Sequence, residues 1–344
     1  AERVEKLKEM VYHEKLGSLW ERTERIEQLV LWLGQKLSVP EATLKAAQRA
    51  AILSKADLTT SMVGEFSELE GIMGREYALA SGEAVEVAEA IAQQYHPRFA
   101  GDELPHTLPG TLLAIADKTD AIVGCFRAGL IPTGSEDPYA LRRAALGILA
   151  IVLERNFSFE LTELLEFAQS LYGKVEDTEA VRDFFWGRLK GLLSESGWPH
   201  GLVAAVLAAP STNIPSLKAR GEAIRKLIGE AQFRDLLVAY NRAANLAQKA
   251  SGDAVDPDLF VETVEGDLWS AYGKAKAEVD LGLASSDWPR VLTALSTLKA
   301  PLDAFFDGVM VMAKEDAVRE NRLAILRSIY QLFAAVADFR LLEV

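Results

Sequence analysis

The chain has little of the chemistry on which most enzymes depend. It contains one cysteine, Cys125, and four histidines among 344 residues. A single cysteine forms neither an internal disulfide nor a zinc site built from several thiolates. No histidine opens an H-E-x-x-H motif, and neither G-x-x-x-x-G-K-[ST] nor G-x-G-x-x-G occurs. These absences argue against a metalloprotease and against a self-contained nucleotide-dependent enzyme.

Long apolar runs are also missing. The longest are 144–153 and 201–209, well short of the roughly 18 residues that a membrane span needs. No charged-then-apolar leader opens the chain, and its start at AERVEKLKEM suggests a part of a longer protein. With the single cysteine, this predicts a cytoplasmic protein without a membrane partner. The formal net charge of −13 argues against indiscriminate binding to polyanions.

What the sequence does contain is helical periodicity. Apolar residues recur with helical spacing along nearly the whole chain, and no convincing alternating strand appears. The sequence therefore predicts an all-α fold. Its expected parts are a compact helical domain over 1–165, a helical linker region over 166–235 and a helical bundle over 236–344. One helix start is well marked, because Asp137 is a typical N-cap residue and Pro138 suits a first turn.

The stretch AILSKADLTTSMV (51–63) raises the possibility of a metal site. HD-type metal phosphohydrolases end a buried helix in a similar way. Their chemistry needs imidazoles and carboxylates on one cation, so that a bound water loses its proton near neutral pH. The candidate ligands are His13, Asp57 and Asp117.

The His-Asp pair that defines such sites is absent, since no histidine in the chain precedes an aspartate. Lys55 stands close to that position, and its ammonium would repel a metal cation. We therefore expect a degenerate slot, formed by His13, Lys55, Asp57 and Asp117, that keeps the fold without a metal or a catalytic residue. Asp57 is expected to cap a helix or to pair with Lys55 or Lys118.

Seven segments, in order, resemble one known family: MVYHEKLGS (10–18), SKADLTTSMVGEFSELEGIMGREYA (54–78), QQYHPRFAGDELP (93–105), AIADKTDAIVGCF (114–126), DPYALRRAALGILAIV (137–152), NRAANLAQKA (241–250) and PLDAFFDGVMVMAKEDAVRENRLAILRSIYQLF (301–333). The family is the β subunit of bacterial heterotetrameric glycyl-tRNA synthetase. The resemblance covers essentially the whole chain, and its ordered motifs are far more specific than one glycine pattern.

This resemblance implies a non-catalytic role. In the family, the α subunit carries the active site and uses ATP and Mg, while the β subunit supplies tRNA recognition; two copies of each assemble. The chain looks like the C-terminal portion of the β subunit, with no cofactor of its own. Residues 1–165 would be an HD-like domain facing the acceptor side of tRNA(Gly). Residues from about 236 would be an anticodon-binding bundle related to that of arginyl-tRNA synthetase.

RNA recognition needs cations for phosphates and amides for splayed bases. We expect anticodon-side contacts from Asn241, Arg242, Asn245, Arg319 and Arg322, and acceptor-side contacts from Arg98, Lys118, Arg142 and Arg143. The family commonly has Lys-Arg where this chain has Asn241-Arg242, which puts one phosphate contact in question. Residues 236–344 hold 11 Lys/Arg and 16 Asp/Glu, so contacts would be local. The alternative for each arginine is an ion pair within the protein.

Two other functions stay open at this point. Residues 1–165 could be a functioning HD phosphohydrolase, in which case a stoichiometric metal would bind His13, Asp57 and Asp117. The chain could instead be a helical scaffold for subunit assembly, which predicts an exposed apolar patch and no affinity for RNA.

Overall fold

The computed structural model describes residues 2–133, 136–173 and 178–342, and helices dominate these ranges. The α-helices are α1 Glu2–Glu5, α2 Leu19–Lys36, α3 Glu41–Leu53, α4 Ser61–Glu65, α5 Ile72–Ala80, α6 Val85–Gln93, α7 Leu108–Arg127, α8 Leu141–Arg155, α9 Leu161–Ser170, α10 Glu179–Glu195, α11 His200–Leu207, α12 Ile214–Leu227, α13 Ala231–Ala247, α14 Thr263–Ser285, α15 Trp288–Ser296, α16 Lys299–Gly308 and α17 Asp316–Ala334. The all-α prediction is confirmed. One small hairpin was not anticipated: β1 Val11–His13 pairs antiparallel with β2 Gly17–Ser18.

The chain divides into two compact units. Unit 1 comprises Ala1–Gly191 with Thr212–Pro215, and unit 2 comprises Leu192–Ser211 with Ser216–Val344. The three-part division of the sequence, with boundaries after 165 and 235, stays a prediction. In the ranges that the structure describes, no helix combines the length and apolarity required to cross a membrane.

Unit 1 is built around α7, against which α2, α3, α6 and α8 pack. Most α7 residues are buried, on all sides of the helix, as expected for a helix surrounded by others. The same helix carries three charged residues, Asp117, Lys118 and Asp120, and all three are buried. Buried charges are costly unless they are paired and hydrogen-bonded, so their partners determine what this region can do.

Local signals explain several helix starts, but one lies later than predicted. Helix α8 begins at Leu141 and not at Pro138, because Ala140 adopts a left-handed conformation with φ of 55°. Asp137 still accepts hydrogen bonds from the first helical amides, those of Leu141 (2.8 Å) and Arg142 (2.9 Å). Asp137 is therefore not the N-cap residue that the sequence predicted, since that position is Ala140, although its carboxylate accepts hydrogen bonds from the first helical amides; the predicted position of Pro138 in the first turn is also wrong.

Unit 2 is a helical bundle with an aromatic core. Helix α13 packs against α16 and α17, and α14 packs against α15, α16 and α17. The Tyr240 ring stacks on Phe333 at 4.5 Å between centroids, and Phe339 meets both rings edge-on. This packing fixes the inner face of α13 and leaves its other face to carry polar residues.

Candidate functional site

The predicted degenerate slot holds a lysine in contact with an aspartate. Lys55 follows the end of α3, and its Nζ lies 2.9 Å from Asp117 Oδ1. It also donates to Gln94 Oε1 at 2.7 Å and lies 4.7 Å from the centre of the Tyr95 ring. Burial lowers the pKa of Lys55, while the charge of Asp117 opposes that shift. The ammonium thus takes the position beside the carboxylate that a cation would need.

A second cation reaches the same carboxylate from α2. Arg22 Nη2 donates to Asp117 Oδ1 at 2.9 Å. Burial alone would raise the pKa of Asp117, but Lys55 and Arg22 outweigh it and lower the pKa to about 2. Asp117 is therefore ionised at neutral pH, and its charge is already compensated by two protein cations.

Asp57 caps helix α5, which begins at Ile72. The residue is 1% exposed, and its Oδ2 accepts hydrogen bonds from the amides of Gly71 (2.7 Å) and Gly74 (3.1 Å) at the start of α5. A carboxylate at a helix N-terminus satisfies unpaired N–H groups and complements the helix dipole. Burial raises the pKa of Asp57, against the opposing effects of these hydrogen bonds and of Lys55. The capping role expected for Asp57 is confirmed.

His13 does not complete a ligand set. It lies half-buried on β1, and its Nδ1 accepts a hydrogen bond from the Lys15 amide at 3.1 Å. Among the residues described, no group of three or more His, Cys, Asp or Glu side chains is placed to hold a metal ion. His13, Asp57 and Asp117 therefore do not converge, and the phosphohydrolase alternative lacks its metal ligands.

A neighbouring cluster on the same two helices escaped the sequence reasoning. Arg25 Nε lies 2.6 Å from Asp120 Oδ1, which also accepts from the Tyr172 hydroxyl at 2.9 Å. The Arg25 guanidinium covers the Tyr172 ring at 4.2 Å. A signal was present, because Arg22 and Arg25 on α2 match Asp117 and Asp120 on α7 with the same spacing of three.

The acceptor-side candidates fall into two groups. Lys118 is buried, and its Nζ donates to the carbonyls of Gln94 (2.9 Å) and His96 (2.8 Å), so it holds the protein's own backbone. Burial lowers its pKa to about 8. Its burial and these two hydrogen bonds therefore argue against the predicted contact of Lys118 with RNA. Arg98 and Arg143 are exposed, and Arg142 is half-buried with its Nη1 donating to the Glu136 carbonyl at 3.1 Å.

The α17 candidates are largely engaged inside unit 2. Arg322 is 6% exposed; its Nε lies 2.7 Å from Oε1 of the fully buried Glu265, and its Nη1 donates to the Met310 carbonyl. Arg322 thus forms an internal ion pair, which argues against its predicted contact with RNA. Arg319 is half-buried and pairs with Asp316 at 2.9 Å. Both arginines therefore form ion pairs within the protein, which was the stated alternative to a contact with RNA.

The α13 candidates form an accessible polar face. Arg242 and Asn245 are exposed, three residues apart on one helix. The Arg242 guanidinium lies 4.1 Å from the centre of the Phe306 ring. In the parts of the chain that the structure describes, no carboxylate pairs with Arg242. Asn241 is half-buried, and its Oδ1 is itself buried and has no hydrogen-bond partner among those residues. We call Asn241, Arg242 and Asn245 the α13 face.

Comparison with known proteins assigns both parts of the chain. Residues 236–342 match the family model described as the DALR anticodon binding domain, so the bundle carrying the α13 face is of the anticodon-binding class. Residues 1–208 match the family model described as the glycyl-tRNA synthetase beta subunit. The chain belongs to the glycyl-tRNA synthetase beta subunit family.

Curated relatives carry matching names. The glycine–tRNA ligase beta subunit of Desulforudis audaxviator is 45% identical over 338 residues, covering 96% of this chain and 49% of the relative. That of Syntrophus aciditrophicus is 40% identical over 345 residues, covering 98% and 50%. That of Geobacter sp. strain M21 is 43% identical over 343 residues, covering 98% and 50%. The chain spans about half the length of the curated relatives that it matches.

Proposed function

We propose that this chain is the tRNA-recognition part of a glycine–tRNA ligase beta subunit and supports glycylation of tRNA(Gly) by an α subunit. In this proposal the α subunit uses ATP and Mg for the chemistry, two copies of each subunit assemble, and the complex works in the cytoplasm. The family membership and the names of the relatives support the assignment. The catalytic signatures missing from the chain are consistent with chemistry done elsewhere.

The observation that carries the proposal is the α13 face. Arg242 is held against Phe306 while remaining exposed, so its guanidinium plane is ordered before RNA arrives. Guanidinium planes stack on unstacked RNA bases, and amides hydrogen-bond to base edges. Arg242 would therefore stack on or contact an anticodon nucleotide, with the exposed Asn245 beside it as a base reader; Asn241 would take part only if its buried Oδ1 became accessible on binding. Because residues 236–344 carry more acidic than basic residues, recognition here would depend on these few local contacts.

On the acceptor side, the proposal keeps the exposed Arg98 and Arg143. Arg142 would contribute less to tRNA binding, because its guanidinium already donates a hydrogen bond to the Glu136 carbonyl. Phosphate contacts from these residues would position the tRNA without reading its sequence.

The test measures the affinity of the chain for a tRNA(Gly) transcript and for a transcript altered in the anticodon. Loss of one base-stacking contact costs about 1–3 kcal/mol. We therefore expect Arg242→Ala to weaken binding by roughly 5- to 150-fold, and to reduce the preference over the altered transcript. Arg290→Ala is the matched control, since Arg290 is an exposed unit 2 arginine that pairs with Glu278 at 2.7 Å.

Equal effects of Arg242→Ala and Arg290→Ala would reject the α13 face as the binding site. Equal, purely salt-driven affinity for the two transcripts would reject anticodon recognition itself. No measurable affinity for either transcript would favour the scaffold alternative, in which the chain only holds subunits together.

A further inference from the structure

Exposed apolar side chains lie in unit 2 where the start of α14 meets the loop between α16 and α17. Met310 in that loop is 76% exposed, and Val261, just before α14, is 62% exposed. Met312 is exposed as well. We call Val261, Met310 and Met312 the methionine surface. Single exposed apolar residues are ordinary, whereas a group of them held together marks an interaction site.

A buried ion pair holds the two segments of this surface together. Arg322 Nε lies 2.7 Å from Glu265 Oε1, and Arg322 Nη1 donates to the Met310 carbonyl at 2.9 Å. Glu265 Oε2 accepts from the Val261 amide at 2.7 Å. The backbones of Val261 and Met310 are therefore bound to the two partners of one ion pair, while both side chains remain in solvent.

Direct packing joins the same two segments. A Cβ on Gly308, at the end of α16, would lie 2.9 Å from Cγ2 of Val264 in α14. The loop that follows is held at a second point, because Arg319 Nη1 donates to the Ala313 carbonyl at 3.2 Å. The loop is thus anchored to α17 on both sides of its exposed methionines, which reduces the entropy lost when a partner binds them.

The charged residues of these segments are almost all acidic. Residues 256–262 and 307–316 contain one lysine, Lys314, and six exposed carboxylates: Asp256, Asp258, Glu262, Asp307, Glu315 and Asp316. Carboxylates repel phosphates, so this charge disfavours RNA as the occupant. It also disfavours a second copy of the same surface, since like charges would meet. A partner with lysine or arginine around an apolar group fits both features.

We propose that the methionine surface binds another protein through an apolar side chain flanked by lysine or arginine residues. Methionine is enriched in protein interfaces, because its flexible side chain adapts to the group that it contacts. Attraction between the acidic residues and a basic partner would orient the complex and raise the rate of association. The proposal is independent of tRNA recognition, since the methionine surface and the α13 face share no residue.

The first experiment follows the methionine ε-methyl groups of the full chain by NMR. The chain has five methionines, and Met62 in unit 1 is an exposed internal control. The probe is an amphipathic helical peptide of leucine and lysine, about 15 residues long. We expect saturable shifts of the Met310 and Met312 methyls and none at Met62. The same peptide with glutamate for lysine should bind at least 10-fold more weakly.

Four outcomes of this experiment would overturn the proposal. They are the absence of shifts at the two methyls, equal shifts at Met62, equal affinity for the glutamate peptide, and shifts that depend on protein concentration without peptide. The last would show self-association through this surface.

The second experiment compares two matched variants, both at exposed methionines. Met310→Gln keeps the length of the side chain and removes its apolar end, so we expect at least a 10-fold loss of affinity for the lysine peptide, read at Met312. Met62→Gln should leave the affinity unchanged. Equal affinity of the two variants would contradict the proposal. Oligouridylate is the RNA probe, and a shift of the Met312 methyl by it that Met310→Gln abolishes would assign the surface to RNA instead.

Discussion

At the scale of single residues, the charges of unit 1 are organised around one carboxylate. Asp117 holds Lys55 from the end of α3 and Arg22 from α2, so it joins two helices to α7. Removing one partner from such a buried group leaves the others uncompensated, which is usually strongly destabilising. The cluster is therefore a structural element whose strength depends on the ionisation of Asp117.

The first prediction concerns this ionisation. The pKa of Asp117 is lowered to about 2, below its ordinary value of 3.8. A lowered carboxyl pKa contributes stability above the ordinary value, and that stability is lost as pH falls from about 4 to about 2. The lost contribution is about 2 kcal/mol. We expect Asp117→Asn to be less stable at pH 7 but to lose less free energy of unfolding between pH 4 and pH 2.

Urea unfolding followed by circular dichroism at several pH values measures this difference. Asp183→Asn is the control, because Asp183 is an exposed unit 1 aspartate that pairs with Arg182. It should follow the wild-type dependence on pH. If the free energy of unfolding falls equally for wild type and Asp117→Asn between pH 4 and pH 2, Asp117 does not make the predicted contribution.

The residue scale also shows where sequence reasoning stops. The intrusion of Lys55 followed from its position at a helix end, and capping was one of the two roles that the sequence left open for Asp57. The burial of Lys118 and Arg322 did not follow from position, because their partners lie far along the chain; Glu265 is 57 positions from Arg322. Helical spacing indicates which residues share a face, but it does not say whether that face meets solvent or a carboxylate from another helix.

At the scale of elements, the junction between the Asp57 turn and α5 depends on a close approach. A Cβ on Gly74 would lie 2.6 Å from Ile91 Cγ2 and 3.0 Å from Asp57 Oδ2. Any side chain there would push α5 away from α6 or disturb the cap.

The second prediction is that Gly74→Ala destabilises the protein by about 1–3 kcal/mol, as overpacking of a well-packed interior usually does. Gly64→Ala, in α4, is the matched control, because outside its chain neighbours and its own helix backbone no atom of the described residues lies within 4 Å of its added Cβ. There alanine should be neutral or stabilise by up to about 1 kcal/mol through its higher helix propensity. Thermal unfolding of both variants makes the comparison, and equal melting temperatures would refute the close approach.

Element types were predictable and element boundaries were less so. The helical class followed from periodicity, because apolar spacing reflects burial of one face. The start of α8 was misplaced, because a left-handed Ala140 was not foreseeable where Asp and Pro already suggested a cap. The β1–β2 hairpin was missed because strands of three and two residues are too short to show alternation.

At the scale of the whole molecule, the third prediction is that tRNA binding depends only weakly on salt. The chain carries a net charge of −13, and the proposal offers at most three exposed arginines for phosphate contacts: Arg98, Arg143 and, where it contacts a phosphate and not only a base, Arg242. Each phosphate contact contributes about 0.7–0.9 to the slope of log K against log salt. We expect a slope of about −2 to −3 when affinity is measured between 50 and 300 mM KCl.

Arg242→Ala should make that slope shallower if Arg242 contacts phosphate, and should leave it unchanged if Arg242 only stacks on a base. A wild-type slope steeper than about −6 would contradict the local footprint. It would indicate a broad basic surface instead.

The molecular division was the least accessible part of the sequence reasoning. The two compact units meet in sequence at three places: between Gly191 and Leu192 inside α10, between Ser211 and Thr212, and between Pro215 and Ser216. A helix interior has no compositional signal of a boundary. The resemblance to a family was more informative at this scale than periodicity, since ordered motifs identify a whole chain while spacing identifies one face at a time.

The lysine beside Asp117 has a consequence for how the protein depends on its surroundings. A metal ion must be supplied, and its occupancy varies with availability and with competing chelators. The ammonium of Lys55 is tethered by the backbone, so its concentration beside the carboxylate is the same in every copy of the chain. Once unit 1 has folded, the cation at this position is therefore a part of its own sequence.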